Sequence, residues 1–192
     1  MIIAFVGCID NESQLPITGT GKTCAMTGYA YLEHLAGKTI YTNYYTDFSI
    51  QMGFQEIIER FGDIEQPDTI VCITEMSKIL DAVGSSTKQV MFIDRFAKQL
   101  RKLDVDVFWD DQRFNSIHKR LRIHTDVVLM PYKTHMDNKP CKFNRCMADH
   151  KIYVYQIKPK PILNKWLRIF SAPAVGKHYN SKEFINDCLT IK

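Results

Sequence analysis

Residues 16–23 read Pro-Ile-Thr-Gly-Thr-Gly-Lys-Thr, and seven of these eight positions satisfy the pattern G-x-x-x-x-G-K-[ST]. Pro16 stands where the first glycine would be. Upstream, Ile2–Val6 is an uninterrupted apolar run ending at Gly7, the pattern of a strand buried on both faces of a sheet. Downstream, Ala25, Met26, Tyr29, Leu32 and Leu35 recur at helical spacing as far as Gly37, so the spacing predicts a helix from Gly21 to about Ala36. Strand, glycine loop and helix in that order make a phosphate cradle: Thr18, Gly19, Thr20 and Gly21 turn backbone N–H groups inward, and the helix start adds its positive dipole end. Lys22 supplies a point charge, and Thr23 offers a hydroxyl to Mg²⁺. The plainer alternative, a Gly-Thr turn before an ordinary helix, requires six matching residues in this context to coincide by accident. The polar stretch from Cys8 to Leu15 lies between strand and loop, as a loop facing the nucleotide or a subunit neighbour, or as a tolerated surface excursion.

Further strands and helices alternate along the chain. Thr39–Tyr44, Thr69–Ile73, Val105–Trp109 and Asp126–Tyr132 read as strands, while Phe54–Phe61, Lys88–Leu103 and a short segment around Ile117–Leu121 read as helices. Lys151–Ile157 alternates regularly, as in an antiparallel edge hairpin. The expected fold is α/β, a mostly parallel central sheet with helices on both faces and a C-terminal antiparallel hairpin. At 192 residues and 45% apolar content the chain is expected to be one domain, with a core over about 1–135 and a hairpin and tail over 136–192. The segment from Pro159 to Pro173 has no assignment.

Three strand ends carry the remaining polar groups, and in open α/β sheets ligands bind at such ends. Thr69–Ile73 runs into Thr74-Glu75. A carboxylate there can orient and deprotonate an attacking water, so Glu75 is the candidate general base, with a share in the Mg²⁺ shell through water. The residue before it, ordinarily an aspartate ordering that shell, is Thr74, which shifts the demand onto Thr23 and the phosphates. The alternative for Glu75 is a cap on the helix that follows. Val105–Trp109 leads into Asp110-Asp111-Gln112-Arg113, where Gln112 is placed to sense the γ-phosphate, against the alternative of a solvated turn. His118-Lys-Arg-Leu-Arg122 is a basic helix from which Arg122, or Arg113 before it, could reach a neighbouring subunit's phosphate, with Arg120 behind them; solvated faces are the alternative.

A net charge of +4 is too mild to establish a nucleic-acid partner. Between Arg113 and Arg145, however, Asp126 and Asp137 are the only acids, a plausible footprint for a phosphate backbone. No apolar stretch approaches the length of a membrane span, and no leader pattern opens the chain, so a soluble intracellular protein is expected. Six cysteines without regular spacing favour thiols over a disulfide framework. His135, Cys141, Cys146 and His150 offer a zinc donor set, but the four residues between the cysteines lie at the wide end of the usual range, and a hairpin with incidental thiols is the preferred reading.

The stretch Thr18–Thr23, the strand ending Ile73-Thr74-Glu75 and above all Asp110–Asp126, DDQRFNSIHKRLRIHTD, resemble the FtsK/HerA superfamily of DNA-translocating ATPases, closest to the genome-packaging ATPases of membrane-containing icosahedral viruses, notably archaeal ones. The match covers roughly Ile2 to Tyr132. It implies a P-loop NTPase fold of the RecA and FtsK/HerA type and an ATP- and Mg²⁺-dependent motor that packages double-stranded DNA into a preformed capsid. The motor would be a homo-oligomeric ring, pentamer or hexamer, in the host cytoplasm and transiently at the packaging vertex. It also implies phosphate and Mg²⁺ roles for Lys22 and Thr23, water activation by Glu75, a sensor at Gln112, and an arginine of the 113–122 segment acting between subunits. Two other readings compete: a Zot-like ATPase for virus assembly or extrusion, weakened by the lack of an anchor, and an ATP-binding switch or scaffold without steady turnover.

Overall fold

The computed structural model describes residues 1–7, 19–53, 56–57, 67–78, 98, 102–117, 119–141, 146, 148–158 and 166–179, apart from the side chains of Ser116, Arg120, Lys158, Trp166 and Leu167. Its strands are β1 (Ile2–Val6), β2 (Thr39–Thr42), β3 (Ile50–Gln51), β4 (Thr69–Ile73), β5 (Val105–Asp111), β6 (Val127–His135), β7 (His150–Lys158) and β8 (Trp166–Ser171). They form one eight-stranded sheet in the order β3-β2-β4-β5-β1-β6-β7-β8. Every pairing from β3 to β6 is parallel, while β6-β7 and β7-β8 are antiparallel. The helices are α1 (Lys22–Leu35), α2 (Lys119–His124) and α3 (Ala172–Gly176).

Burial on both faces explains the unbroken apolar runs at the centre of the sheet. Successive residues of a strand point to opposite faces. Ile3 and Phe5 of β1, Ile70 and Cys72 of β4 and Phe108 of β5 therefore pack with Cys24, Ala25, Met26 and Ala30 of α1. Ile2, Ala4 and Val6, Val71 and Ile73, and Val105, Val107 and Trp109 fill a second core with Ile57, Met76, Ile117 and Leu121. Small residues along α1 bring it close to the sheet; a Cβ on Gly28 would lie 2.7 Å from the Phe170 ring.

The mostly parallel sheet with an antiparallel C-terminal extension is the expected architecture, and the differences lie in element boundaries. β2 ends at Thr42 rather than Tyr44; just past it the Asn43 side chain takes over the pairing with β4, accepting from the Thr74 N–H at 2.8 Å and donating to the Thr74 carbonyl at 3.3 Å. β5 continues two residues past Trp109, so Asp110 and Asp111 belong to a buried strand and not to a turn. The basic helix starts at Lys119, after a 3₁₀ turn at Phe114–Ser116. The antiparallel strand expected at the sheet edge is interior: the unassigned Pro159–Pro173 segment contributes β8, which pairs outside it. Most of the helices predicted over Phe54–Phe61 and Lys88–Leu103 lies outside the described residues; Glu56, Ile57, Lys98 and Lys102 within them are helical.

Candidate nucleotide site

The loop entering α1 is left-handed at two glycines, Gly19 with φ +70° and Gly21 with φ +88°. Gly21 is required twice over. Its positive φ disfavours any other residue, and an added Cβ would lie 2.6 Å from Ile152 Cδ1 on β7. Gly21 stands at the N-cap of α1 and has no side chain to cap it, so among the described residues the first-turn N–H groups take no bond from an N-cap hydroxyl or carboxylate. Thr20 is buried, and its hydroxyl has no hydrogen-bond partner among the described residues. Lys22 is only 8% exposed and donates to Gln112 Oε1 at 3.1 Å. Thr18 and the polar stretch from Cys8 to Ile17 lie outside the described residues. Gly7 serves the strand exit: a Cβ there would lie 2.7 Å from the Gln112 carbonyl oxygen, so the end of β1 closes against β5 only without a side chain.

The charge at the centre of the site belongs to Asp110. Because β5 lies between β1 and β4, with Phe5 opposite Asp110 and Ile73 opposite Trp109, the end of β5 reaches both other strand ends. Strand alternation sends the side chains of Asp110 and Asp111 to opposite faces. On the α1 face, Asp110 Oδ2 accepts from Thr23 Oγ1 at 2.6 Å, while Oδ1 accepts from Thr74 Oγ1 and from the Glu75 N–H, each at 2.9 Å. On the other face, Asp111 accepts from the Ser77 N–H at 2.6 Å at the start of a helical turn, residues 76–78. Burial pushes the Asp110 carboxyl above its ordinary range, opposed by the Lys22 ammonium and by the bonds from Thr23, Glu75 and Thr74. Beneath this cluster burial pushes the Cys24 thiol up to about 12 and raises that of Cys72 further, so both are protonated fillers of the core. Tyr44 closes this side through its hydroxyl contact with Thr27 Oγ1 at 2.9 Å.

Sequence reasoning passed over Asp110 and saw only that Thr74 lacked a carboxylate. The signal was present: an acid missing from one strand end and a doublet of acids at another.

Glu75, Gln112 and Arg113 follow the ends of β4 and β5, with different engagements. Glu75 has a positive φ of +54°, and its carboxylate, 42% exposed, is ion-paired with Lys78. Gln112 is exposed on the residue scale and touches Lys22. The Arg113 N–H donates to Asp111 Oδ1 at 3.3 Å, and the residue is exposed. Arg122 donates through Nη1 to Asn115 at 2.9 Å, away from the Asp110 cluster, and its buried Nε has no partner among the described residues. His118 and the Arg120 side chain lie outside the described residues.

No protein-family model matches the sequence, and no curated protein matches it. Solved structures do. The genome packaging NTPase of Sulfolobus turreted icosahedral virus 2, determined with ATP-γS, superposes with a TM-score of 0.53 at 10% identity, over 81% of this chain and 92% of that one. A KaiC-like protein of Pyrococcus horikoshii gives 0.51 at 10% identity, over 88% and 84%. The N-terminal domain of zonular occludens toxin from Neisseria meningitidis gives 0.49 at 14% identity, over 93% and 98%, too distant a superposition to carry weight. At such identities the likeness is one of fold. The chain has the P-loop NTPase fold.

Proposed function

We propose that this chain is an ATPase whose turnover drives double-stranded DNA into a preformed viral capsid, working as a homo-oligomeric ring at the packaging vertex in the host cytoplasm. The observation that carries the ATPase reading is the hydrogen bond from Thr23, at the start of α1, to the buried Asp110. It joins the glycine loop to a carboxylate of the neighbouring strand where a nucleotide-bound metal would need both. The packaging reading draws on the fold shared with the viral packaging NTPase and on the Asp110–Asp126 motif.

In this reading the backbone of Thr18 to Gly21 and the N-terminus of α1 surround the phosphates, and Lys22 exchanges its Gln112 contact for them. The Thr20 hydroxyl, without a hydrogen-bond partner among the described residues, and the all-oxygen pair of Thr23 and Asp110 fit a phosphate and a hard cation. Thr23 and Asp110 would hold Mg²⁺, whose charge offsets that of the phosphates when bound. Glu75 takes the proton of the attacking water after leaving Lys78. Gln112, freed from Lys22, reads the γ-phosphate, and Arg113 or Arg122 serves a neighbouring subunit. Among the described residues no helix is long and apolar enough to cross a membrane.

A second reading, ATP binding as a switch without steady turnover, is favoured by the Glu75–Lys78 pair, which occupies the carboxylate needed for base catalysis. Steady-state ATP hydrolysis with and without linear duplex DNA separates the two. DNA-stimulated turnover that falls on the order of a hundredfold or more in Lys22→Ala and in Glu75→Gln supports the motor. Tight ATP binding with no hydrolysis selects the switch, and turnover untouched by both substitutions refutes the site.

A further inference from the structure

We propose that His135, Cys141, Cys146 and His150 bind one structural zinc ion where β6 passes into β7. The ligand atoms of all four residues lie within 4.8 Å of one another. A tetrahedral zinc with Zn–S of about 2.3 Å and Zn–N of about 2.0 Å places its ligand atoms roughly 3.3 to 3.8 Å apart, so the set closes on the ion by about 1 Å.

Backbone register assembles three of the ligands. His135 at the end of β6 is paired across the antiparallel ladder with His150 at the start of β7, and their rings lie 4.9 Å apart. After His135 the chain turns through Asn138, which is left-handed at φ +66°, and returns along the other side of β6. There the His135 N–H donates to the Lys139 carbonyl at 2.9 Å, Thr134 bridges Pro140, and the Cys141 N–H donates to the Lys133 carbonyl at 3.1 Å. Cys141 is thus opposite Lys133, diagonal to His135, and on the same face as both histidines. Cys146 completes the group from the side of the connection.

The site is also partly withdrawn from water. Cys141 is buried, and His150 is 6% exposed with an Nε2 that has no hydrogen-bond partner among the described residues. A buried imidazole nitrogen without a partner is costly, and a metal bond satisfies it. Two sulfurs and two imidazoles select zinc over the hard cations, which take oxygen ligands. Binding releases the two thiol protons, leaving thiolates on the ion. The four-residue gap between the cysteines, which from sequence weighed against zinc, is no obstacle once the return strand brings Cys141 beside β6. The ion ties down the base of β7, and Ile152, two residues beyond His150 on the same face, packs against Gly21 of the nucleotide loop.

The full chain, purified without chelator and with a non-thiol reductant, is expected to carry one zinc per chain by elemental analysis, released when a mercurial reagent titrates its thiols. Cys141→Ser/Cys146→Ser should lose the zinc, whereas Lys22→Ala should keep it, separating this site from the nucleotide site. If the double variant does not fold, cobalt exchange into the wild-type chain decides: tetrahedral ligand-field bands with thiolate charge transfer support the site, and their absence overturns it. Wild-type protein without bound zinc, a folded double variant that retains it, or a Cys141–Cys146 disulfide overturns it equally.

Discussion

At Asp110 a carboxylate only 1% exposed is held by two hydroxyls and one backbone N–H, with the Lys22 ammonium acting on it as a counter-charge. Its carboxyl is raised by burial above the ordinary value of 3.8. Between the ordinary and the raised value the folded chain binds the proton more than the unfolded chain does, so this group's contribution to stability falls as pH rises through that window. Asparagine keeps an acceptor for Thr74 and Glu75 but carries no charge. Asp110→Asn should therefore unfold at or above the wild-type temperature at neutral pH, with the difference shrinking as pH drops toward the ordinary carboxylate range. The same variant should lose ATPase activity on the order of a hundredfold. Thermal unfolding across pH, read beside turnover, checks both; a variant that is less stable at neutral pH yet fully active would contradict the assignment.

At the scale of elements, α1 connects the nucleotide loop to the C-terminal strands. Phe170 of β8 stacks edge-on to Tyr29 and covers Gly28, whose missing Cβ leaves room for the ring. Alanine at position 28 gains about 0.5 to 1 kcal/mol in helix preference but forces the ring aside at about 1 to 3 kcal/mol. Gly28→Ala should thus lower the unfolding free energy by a net of about 1 kcal/mol, read as a lower denaturant midpoint, and Phe170→Leu in the same chain should recover part of that loss. A double-mutant cycle measures the coupling, and strict additivity would show that α1 and β8 are not in this contact. The helical spacing of α1 was legible in its sequence. Its partner was not, because β8 sits in a proline-flanked segment with too few alternating residues to declare a strand.

For the whole molecule, the exposed basic groups that follow β5 give the proposed DNA contact a measurable electrostatic signature. Each phosphate neutralised adds about one unit to the slope of log affinity against log salt. DNA stimulation of turnover should therefore weaken steeply with salt while DNA-free turnover changes little. Lys119→Glu, at an exposed position on α2, should reduce that slope. Titration of turnover with linear duplex at several ionic strengths tests this; a stimulation indifferent to salt would remove the basic segment from the interface.

The sequence by itself determined the strand before the loop, the glycine cradle, α1, and the apolar strands ending in polar residues. Each is a pattern of period two or near four, or a short run of special residues, written within a few neighbouring positions. The carboxylate that joins Thr23 came only with tertiary structure. Asp110 is 87 residues away from Thr23, and it meets that hydroxyl because β5 inserts between β1 and β4 and turns alternate side chains to opposite faces. The gathering of His135, Cys141, Cys146 and His150 was likewise decided by pairing register, in which a one-residue slip would send both histidines to opposite sides of the sheet. Periodicity is local to the chain, whereas strand order and register are set by which faces the whole core buries.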